Sequence, residues 1–553
     1  MKRLILSFSF IFSFLHYSYS QNPLVKQWDK RFGGTSGEVI LSFQQTADKG
    51  YFLAGWSVSG IGGDKTQPLW GGPGDVDYWI VKIDSLGNKQ WDKDFGGTSQ
   101  DLLFTSQQTA DKGYILGGPS SSGVSGDKTQ PLWDTCATCY KYDYWIVKID
   151  SLGNKEWDKD FGGTALDVLY SLQQTMDGGY ILGGYSYSDS SGDKTQPSWG
   201  YADYWIVKTD SLGNKQWDKR FGGASNDWLE SIKQTPDGGY ILAGNSYSDS
   251  SGDKTQNSKG YSDYWIIKTD SLGNKQWDKD FGGTDIEDHP SIYQTADGGY
   301  IIQGQSFSNV SGDKTQPNWD STGNTADYWI IKTDSLGTME WDKDFGGIGN
   351  EGGYSNNIYE SESIVHTPDG GYLIAGTSSS NISGNKTENK LGNREPWLVK
   401  TDSAGNFQWD KTIFVYGFNQ SAILAITNDG CYAIANCTTG GIGGYKTQPK
   451  RGSNDYWMVK FCDTTATTSI TQLPQLPQLP FSIYPNPATQ TITLKWNKEQ
   501  KEKQITINDL FGREVFKSNI YNLTSTIEIN ISFLSPGIYF LKAGNEVKKF
   551  VKE

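Results

Sequence analysis

The chain has 553 residues, 14% of them aromatic, with 66 glycines and a net charge of −14. That length and aromatic content can bury a large core and leave room for two domains, and the acidic balance argues against nucleic acid as a partner. Residues 1–20 read as a signal peptide: Lys2 and Arg3 form a basic start, residues 4–15 an apolar core, and Ser18 and Ser20 the small residues before a cut between Ser20 and Gln21. The cut would leave Gln21 and not a cysteine at the new end, so a lipoprotein anchor is not expected, and no later stretch is long and apolar enough for a membrane helix.

From residue 26 onward one text recurs seven times, marked by Trp28, Trp91, Trp157, Trp217, Trp277, Trp341 and Trp409 at a period of roughly 60 to 68 residues. A period of this size means a repeat architecture. One unit holds four strand-like runs, at 228–235 (WLESIKQT), 239–244 (GYILAG), 264–269 (YWIIKT) and 275–280 (KQWDKD). Asp237-Gly238-Gly239 and residues 270–274 (DSLGN) supply two tight turns, so each unit is expected to be a four-stranded antiparallel meander. The third run is apolar on both faces and must be covered on both, as the blades of a propeller cover one another. The array opens with a lone fourth-type run, 26–31, and closes on a third-type run, 455–461, with no fourth run after it. The expected fold is therefore all-β: a seven-bladed β-propeller over 21–462, with the N-terminal strand closing the last blade and leaving no open edge.

The repeated pattern GG…(D/E)…TxDGGYILxG…DYWIVKxDSxGN resembles the bacterial β-propeller repeat family called SBBP, from about Trp28 to Phe461. The resemblance implies the fold and no single activity. The seventh unit departs most, with Cys431 in place of the second turn glycine and residues 412–415 (TIFV) in place of DFGG.

Five cysteines are present. Cys136 and Cys139 form an isolated C-x-x-C in a loop insertion; without a second pair zinc is not expected, and a local disulfide or two thiols remain. Cys431 begins a second-type strand and Cys462 follows a third-type strand, so antiparallel pairing brings them close. Residues 463–480 turn Thr- and Pro-rich and read as a spacer. Residues 481–553 then hold seven short strand-like runs, expected to form a small β-sandwich. Tyr484-Pro485-Asn486-Pro487, residues 509–515 with Gly512, residues 537–542 with Gly537, Tyr539 and Lys542, and the terminal Lys548 and Lys549 look like the type A C-terminal sorting domain of the type IX secretion system. That resemblance implies engagement of the type IX machinery, passage through the outer membrane, removal of the tail, and release or attachment to surface lipopolysaccharide.

Chemistry is harder to place. His289 and His366 are the only histidines after residue 20, and neither a Gly-x-Ser-x-Gly nor a His-Glu-x-x-His motif occurs, so no catalytic residue is assigned and both histidines read as satisfied first-strand residues. In a propeller the loops from outer to next inner strand share a face with the loops from second to third strand. Gly-Asp-Lys-Thr begins on that long-loop face at Gly63, Gly126, Gly192, Gly252 and Gly312, and Trp70, Trp133, Trp199 and Trp319 follow. Those tryptophans either contact a sugar or peptide or fold back to cap their own blade. Glu38, Asp101, Asp167, Asp227 and Glu287 recur eight residues before each first-strand threonine, with Glu351 as a sixth equivalent and Asn419 in the seventh unit. They either form a cation or polar-ligand site at the channel mouth or accept N–H bonds from their own loops, and repetition in every blade favours the second. The hairpin face is expected to offer little concavity. No cofactor is assigned beyond a cation at the channel mouth. The expected function is a non-enzymatic binding, adhesion or structural module at the cell surface or secreted, with glycans or proteins as partners; the alternative is a glycan-active hydrolase or lyase using carboxylates of the long-loop face.

Overall fold

The computed structural model describes residues 24–133, 141–352, 363–463, 481–496, 500–509, 513–523, 526–543 and 546–553. The expected signal cleavage at Ser20 and Gln21, the Cys136–Cys139 pair, Gly512 and nearly all of the 463–480 spacer lie outside these residues. All regular structure among them is strand, and the chain divides into two compact units, Met1–Asp463 and Thr464–Glu553.

The first unit is a ring of seven four-stranded antiparallel sheets, a seven-bladed β-propeller. Blade I runs through Glu38–Gln45, Tyr51–Ser57, Asp77–Ile83 and Lys89–Phe95, from the axis outward. The inner strands of blades II to VII are Thr105–Gln108, Asp167–Gln174, Asp227–Gln234, Glu287–Gln294, Ser363–His366 and Asn419–Ile426. The third strands of blades I to VI are buried at every position, Asp203–Thr209 being one example, and that of blade VII at all but its last two residues, because a neighbouring blade covers each face. Trp79, Trp145, Trp205, Trp265, Trp329, Trp397 and Trp457 of these strands are the large, fully buried side chains. The tryptophans that mark the repeat, such as Trp217 on the outer strand, are only half-buried. Tyrosines of the same third strands tie a blade to the next in every case but blade VI, where Pro396 holds the position: the Tyr144 hydroxyl donates to the Trp205 carbonyl at 3.0 Å and that of Tyr204 to Trp265 at 3.0 Å. The series closes on itself, since the Tyr456 hydroxyl of blade VII donates to the Trp79 carbonyl of blade I at 3.0 Å.

Blade VII takes its outer strand from the N-terminus. Leu24–Phe32 pairs antiparallel with Asp455–Asp463, and Trp28 faces Lys460 just as Trp217 faces Lys208 within blade III. In the same blade Tyr432 pairs with Phe461, which sets their neighbours Cys431 and Cys462 opposite each other, and these two are joined by a disulfide.

The second unit has a three-stranded sheet of Phe481–Tyr484, Thr491–Trp496 and Thr526–Asn530, and a four-stranded sheet of Gln500–Asn508, Glu514–Leu523, Gly537–Ala543 and Glu546–Lys552. Ile492, Leu494, Ile505, Ile507, Leu541 and Phe550 form one buried core between them. Tyr484, Pro485, Asn486 and Pro487 are exposed, yet Asn486 is pinned to the last strand: its Oδ1 accepts the Val551 N–H at 2.9 Å. Lys542 and Lys549 are exposed and Lys548 half-buried, while Tyr539 is buried with its hydroxyl donating to the Ser535 carbonyl at 2.8 Å.

Candidate functional site

The periodic carboxylates lie beneath the long loops. Glu38, Asp101, Asp167, Asp227 and Glu287 are all fully buried, as is Glu351. Each holds the Gly-Gly turn that precedes it and a serine at the end of its own second strand or two residues past it. Asp101 accepts the Gly97 N–H at 2.7 Å and the Ser122 hydroxyl at 2.9 Å; Asp227 accepts the Gly223 N–H at 2.7 Å and the Ser248 hydroxyl at 3.0 Å. Glu287 repeats this with Gly283 at 2.8 Å and Ser306 at 2.7 Å, and Asp167 with Gly163 at 2.7 Å and Ser188 at 3.1 Å. Burial pushes Asp101 and Asp227 up to about 6 and Asp167 up to about 7. This is the geometry of a backbone clamp.

The Gly-Asp-Lys-Thr loops place their lysine inward, which the sequence does not reveal. Lys65, Lys128, Lys254 and Lys314 are buried and paired with outer-strand Asp94, Asp160, Asp280 and Asp344, the last two at 2.5 Å each. Where that aspartate becomes Thr412, the Lys386 amine donates to its hydroxyl at 2.5 Å and burial brings the amine down to about 8.

The loop tryptophans lean on the next blade, and Trp199 also has Arg220 of its own blade over its ring at 5.2 Å. An added Cβ at Gly126, Gly192, Gly252 or Gly384 would strike the ring of Trp70, Trp133, Trp199 or Trp319 within 3.1 Å. Only glycine, in the left-handed region at φ near +55° to +58°, allows that approach. The Trp70 indole N–H donates to Asp127 at 2.8 Å and that of Trp319 to Asn385 at 2.9 Å, both in the following loop. The outer ring face stays open: Trp70 is 41% exposed, Trp133 43%, Trp199 57% and Trp319 48%. Ile61, Val124, Val310, Ile382 and Ile442, at one equivalent loop position in five blades, are also exposed. The long-loop face thus carries a circular series of apolar side chains on a rigid frame.

Around the axis lies a channel with a cavity of about 340 Å³. Inner-strand serines stitch the blades there: the Ser171 hydroxyl accepts the Ile232 N–H at 3.2 Å and Ser363 that of Leu424 at 2.9 Å. At blades IV and V this ring loses its uniformity. Glu230, Asp288 and His289 come together, with Nδ1 of His289 3.3 Å from Oε2 of Glu230 and Nε2 3.7 Å from Oδ2 of Asp288. His289 does lie in a first strand, with its Nδ1 in reach of Glu230, but the two carboxylates around it were not foreseen. The signal lay in the repeat alignment, where blades I to III have apolar residues and one tyrosine, and no charged residue, at the corresponding positions.

The expectation of a featureless hairpin face does not hold. A groove of about 1260 Å³ opens between blades IV, V and VI on that face, lined by Trp277, Tyr300, Ile364, Tyr372, Lys268 and His366. The corresponding groove at blades I and II, around Trp91 and Tyr114, is about 510 Å³. The difference has a local cause. In the first blades the last inner-strand glutamine accepts an N–H from the preceding blade's turn, as Gln108 does from Ala47 at 2.8 Å and Gln234 from Met176 at 2.8 Å. Pro236 offers Gln294 no such N–H, and His366 replaces the glutamine in blade VI.

Residues 482–553 match the family model of the secretion system C-terminal sorting domain. The chain therefore carries a type IX sorting domain, which engages that machinery and directs export to the cell surface or beyond. No curated protein sequence matches the chain. Among solved structures, a protein of unknown function from Dyadobacter fermentans aligns at 10% identity and a TM-score of 0.41, over 79% of this chain and 99% of that one. The Neurospora crassa Pan2 WD40 domain aligns at 8% identity and a TM-score of 0.42, over 79% and 95%. A Synechocystis apocarotenoid oxygenase mutant aligns at 12% identity and a TM-score of 0.37, over 76% and 89%.

Proposed function

We propose that this is an SBBP-type propeller that enters the periplasm by its signal peptide, crosses the outer membrane by the type IX route, and serves there as a non-enzymatic binding or adhesion module. Its contact surface is the long-loop face, and its partners are surface glycans or proteins. The observation that carries this reading is the circular set of half-exposed Trp70, Trp133, Trp199 and Trp319 beside exposed aliphatic loop residues. Exposed apolar groups gathered on one face mark contact surfaces, and aromatic side chains held rigidly lose little entropy on binding. Repetition around the ring gives several equal contacts, so a repetitive polymer would be held by avidity. The buried clamps and Lys–Asp pairs support the frame and take no part in contact.

The test is a glycan and surface-protein array probed with exported protein, followed by affinity measurement on the positives. Trp133→Ala and Trp199→Ala should each weaken binding by ~1 kcal/mol or more, while Ser211→Ala on the hairpin face should not. Loss of binding in the Ser211 variant alone would place the contact surface on the opposite face and overturn the reading.

A further inference from the structure

The repeat supplies its own reference for the channel wall. At the second, third and fourth inner-strand positions blade I has Val39, Ile40 and Leu41, blade II Leu102, Leu103 and Phe104, and blade III Val168, Leu169 and Tyr170. Blade IV changes the fourth to Glu230, and blade V changes the second and third to Asp288 and His289. Two adjacent blades therefore bring three ionisable groups to one junction that the first three blades fill with apolar side chains and one tyrosine. The side chains are only 13%, 6% and 14% exposed, respectively. Two carboxylates and one imidazole can carry at most one positive charge among them, so the site is short of cation in a poorly solvated place. Lys233, which lines the same cavity, has its amine over the face of Tyr293 at 5.5 Å.

The donor geometry suits a metal. One atom from each of the three residues lies within 4.8 Å of the other two. Ligands about 2.0–2.1 Å from a tetrahedral zinc stand about 3.3 Å apart, and Nδ1 of His289 and Oε2 of Glu230 are 3.3 Å apart; Asp288 is nearest the other ring nitrogen, so it joins an ion held at Nδ1 through the wider set within 4.8 Å and not through its 3.7 Å contact. Asn245 steadies both acids from behind, donating to Oε1 of Glu230 at 3.2 Å and to Oδ1 of Asp288. The opposite oxygen of each acid is the one facing the imidazole. Glu230 and His289 also line the channel cavity, so coordination positions not filled by protein would open into it.

We propose that Glu230, Asp288 and His289 bind one divalent first-row transition ion, with Zn²⁺ as the expected occupant, in the wall of the central channel. Mixed nitrogen and oxygen donors suit such an ion, whereas Ca²⁺ takes six to eight oxygens, more than these residues supply. With three protein ligands the ion would keep a position for water or an anionic or hydroxyl-bearing ligand in the channel. This goes beyond the adhesion reading and stands or falls separately from it.

The test is calorimetric titration of chelator-treated exported protein with ZnCl₂, MnCl₂ and CaCl₂. One equivalent of Zn²⁺ should bind, more tightly than Ca²⁺. Glu230→Leu copies the blade I residue, and His289→Asn suits the left-handed backbone at φ +57°; each should weaken binding at least tenfold. Asn245→Ala should weaken it about 10–100-fold through lost positioning, and Glu156→Gln, on a different blade, should change nothing. X-ray absorption on the zinc-loaded wild type gives an answer even if a variant fails to fold: a first shell of nitrogen and oxygen supports the site, and a sulfur shell places the ion on cysteine and overturns it. No stoichiometric Zn²⁺, a preference for Ca²⁺, or undiminished binding in both ligand variants would also overturn it.

Discussion

Asp29→Ala tests ring closure at one atom group. The N-terminal strand is held in blade VII by its pairing with Asp455–Asp463, and Asp29 adds a cluster of side-chain bonds to the loop and third strand of that blade. Its carboxylate, 2% exposed, accepts the Thr447 N–H at 2.9 Å, the Thr447 hydroxyl at 2.8 Å and the Trp457 indole N–H at 3.0 Å. Asp218 makes the same set inside blade III, from Thr195 at 2.9 Å twice and from Trp205 at 3.2 Å. Hydrogen bonds to a charged acceptor contribute ~1.5–3 kcal/mol each, and a buried donor left unmet costs ~1–3 kcal/mol. The indole of Trp457 cannot reach water, while Thr447 at the loop can in part, so the loss should total ~3–6 kcal/mol. The ion pair with Lys26, whose side chain is 20% exposed, adds little. For a unit of this size 1 kcal/mol moves Tm by about 1 °C, so thermal melts should show a fall of about 3–6 °C for Asp29→Ala and a similar fall for Asp218→Ala. If Asp218→Ala falls by this amount and Asp29→Ala melts with the wild type, the N-terminal strand does not close the ring.

Three further outcomes are expected. Burial, reinforced by the neighbouring Asp94, Asp160 and Asp280, raises Asp77 and Asp143 to about 9 and Asp263 to about 8. Unfolded carboxyls titrate near 4, so the stability tied to these protons is complete below about pH 4 and lost as pH rises through the folded values. The turn carboxylates Asp177 and Asp237 act oppositely: burial opposes the shift, but bonds from threonine, lysine and a backbone amide bring them to about 2, and their contribution is lost only as pH falls through that value. Melting temperature should therefore decline steadily from pH 5 to 8, and a flat or rising profile refutes the buried protonated carboxyls. The Cys431–Cys462 bridge spans 31 residues, for which loop entropy predicts ~3–4 kcal/mol; dithiothreitol or Cys431→Ser should lower Tm by about 3–4 °C, and no change would show the bridge to be idle. The tail should be absent from the mature protein in its native host, so intact mass should end before residue 481; full-length chain as the sole surface form would count against cleavage.

The architecture was legible because its causes are local and repeated. Glycines at fixed turn positions, a third strand apolar on both faces, and an outer strand displaced to the N-terminus are visible without knowing any contact between repeats. Pairing of Cys431 with Cys462 followed from the same strand order. What was not legible depends on partners one repeat away. Trp70 looks exposed until Gly126 and Asp127 of the following loop are seen beneath it, 57 residues on by its indole bond. Lys65 reads as a solvated loop lysine until Asp94, 29 residues later, is found against it in the interior. Glu230 and His289 lie 59 residues apart and meet only because inner strands stand side by side around an axis. A periodic motif draws attention to what every blade shares, whereas the channel cluster lies where one pair of blades differs.

That difference is coherent across the ring. At the seventh inner-strand position Gln44, Gln107 and Gln173 each accept the next blade's N–H, at 3.2, 2.6 and 2.7 Å. The same position holds Lys233, Tyr293, Val365 and Ala425 in blades IV to VII, none of which can repeat that amide latch. The turn latches lapse over the same arc, at Pro236, at His366 and again at Pro368 before blade VII. Each lost bond costs only about 1 kcal/mol, and the closed ring keeps its tyrosine ties, serine stitches and Lys–Asp pairs elsewhere, so the arc can shed latches without opening. Both the widened hairpin-face groove and the Glu230–Asp288–His289 cluster fall within that arc. Redundant holding by seven near-equal blades gives one sector the freedom to carry polar groups and concavity that a single-copy core would have to fill, and that sector is where chemistry beyond surface contact can be accommodated.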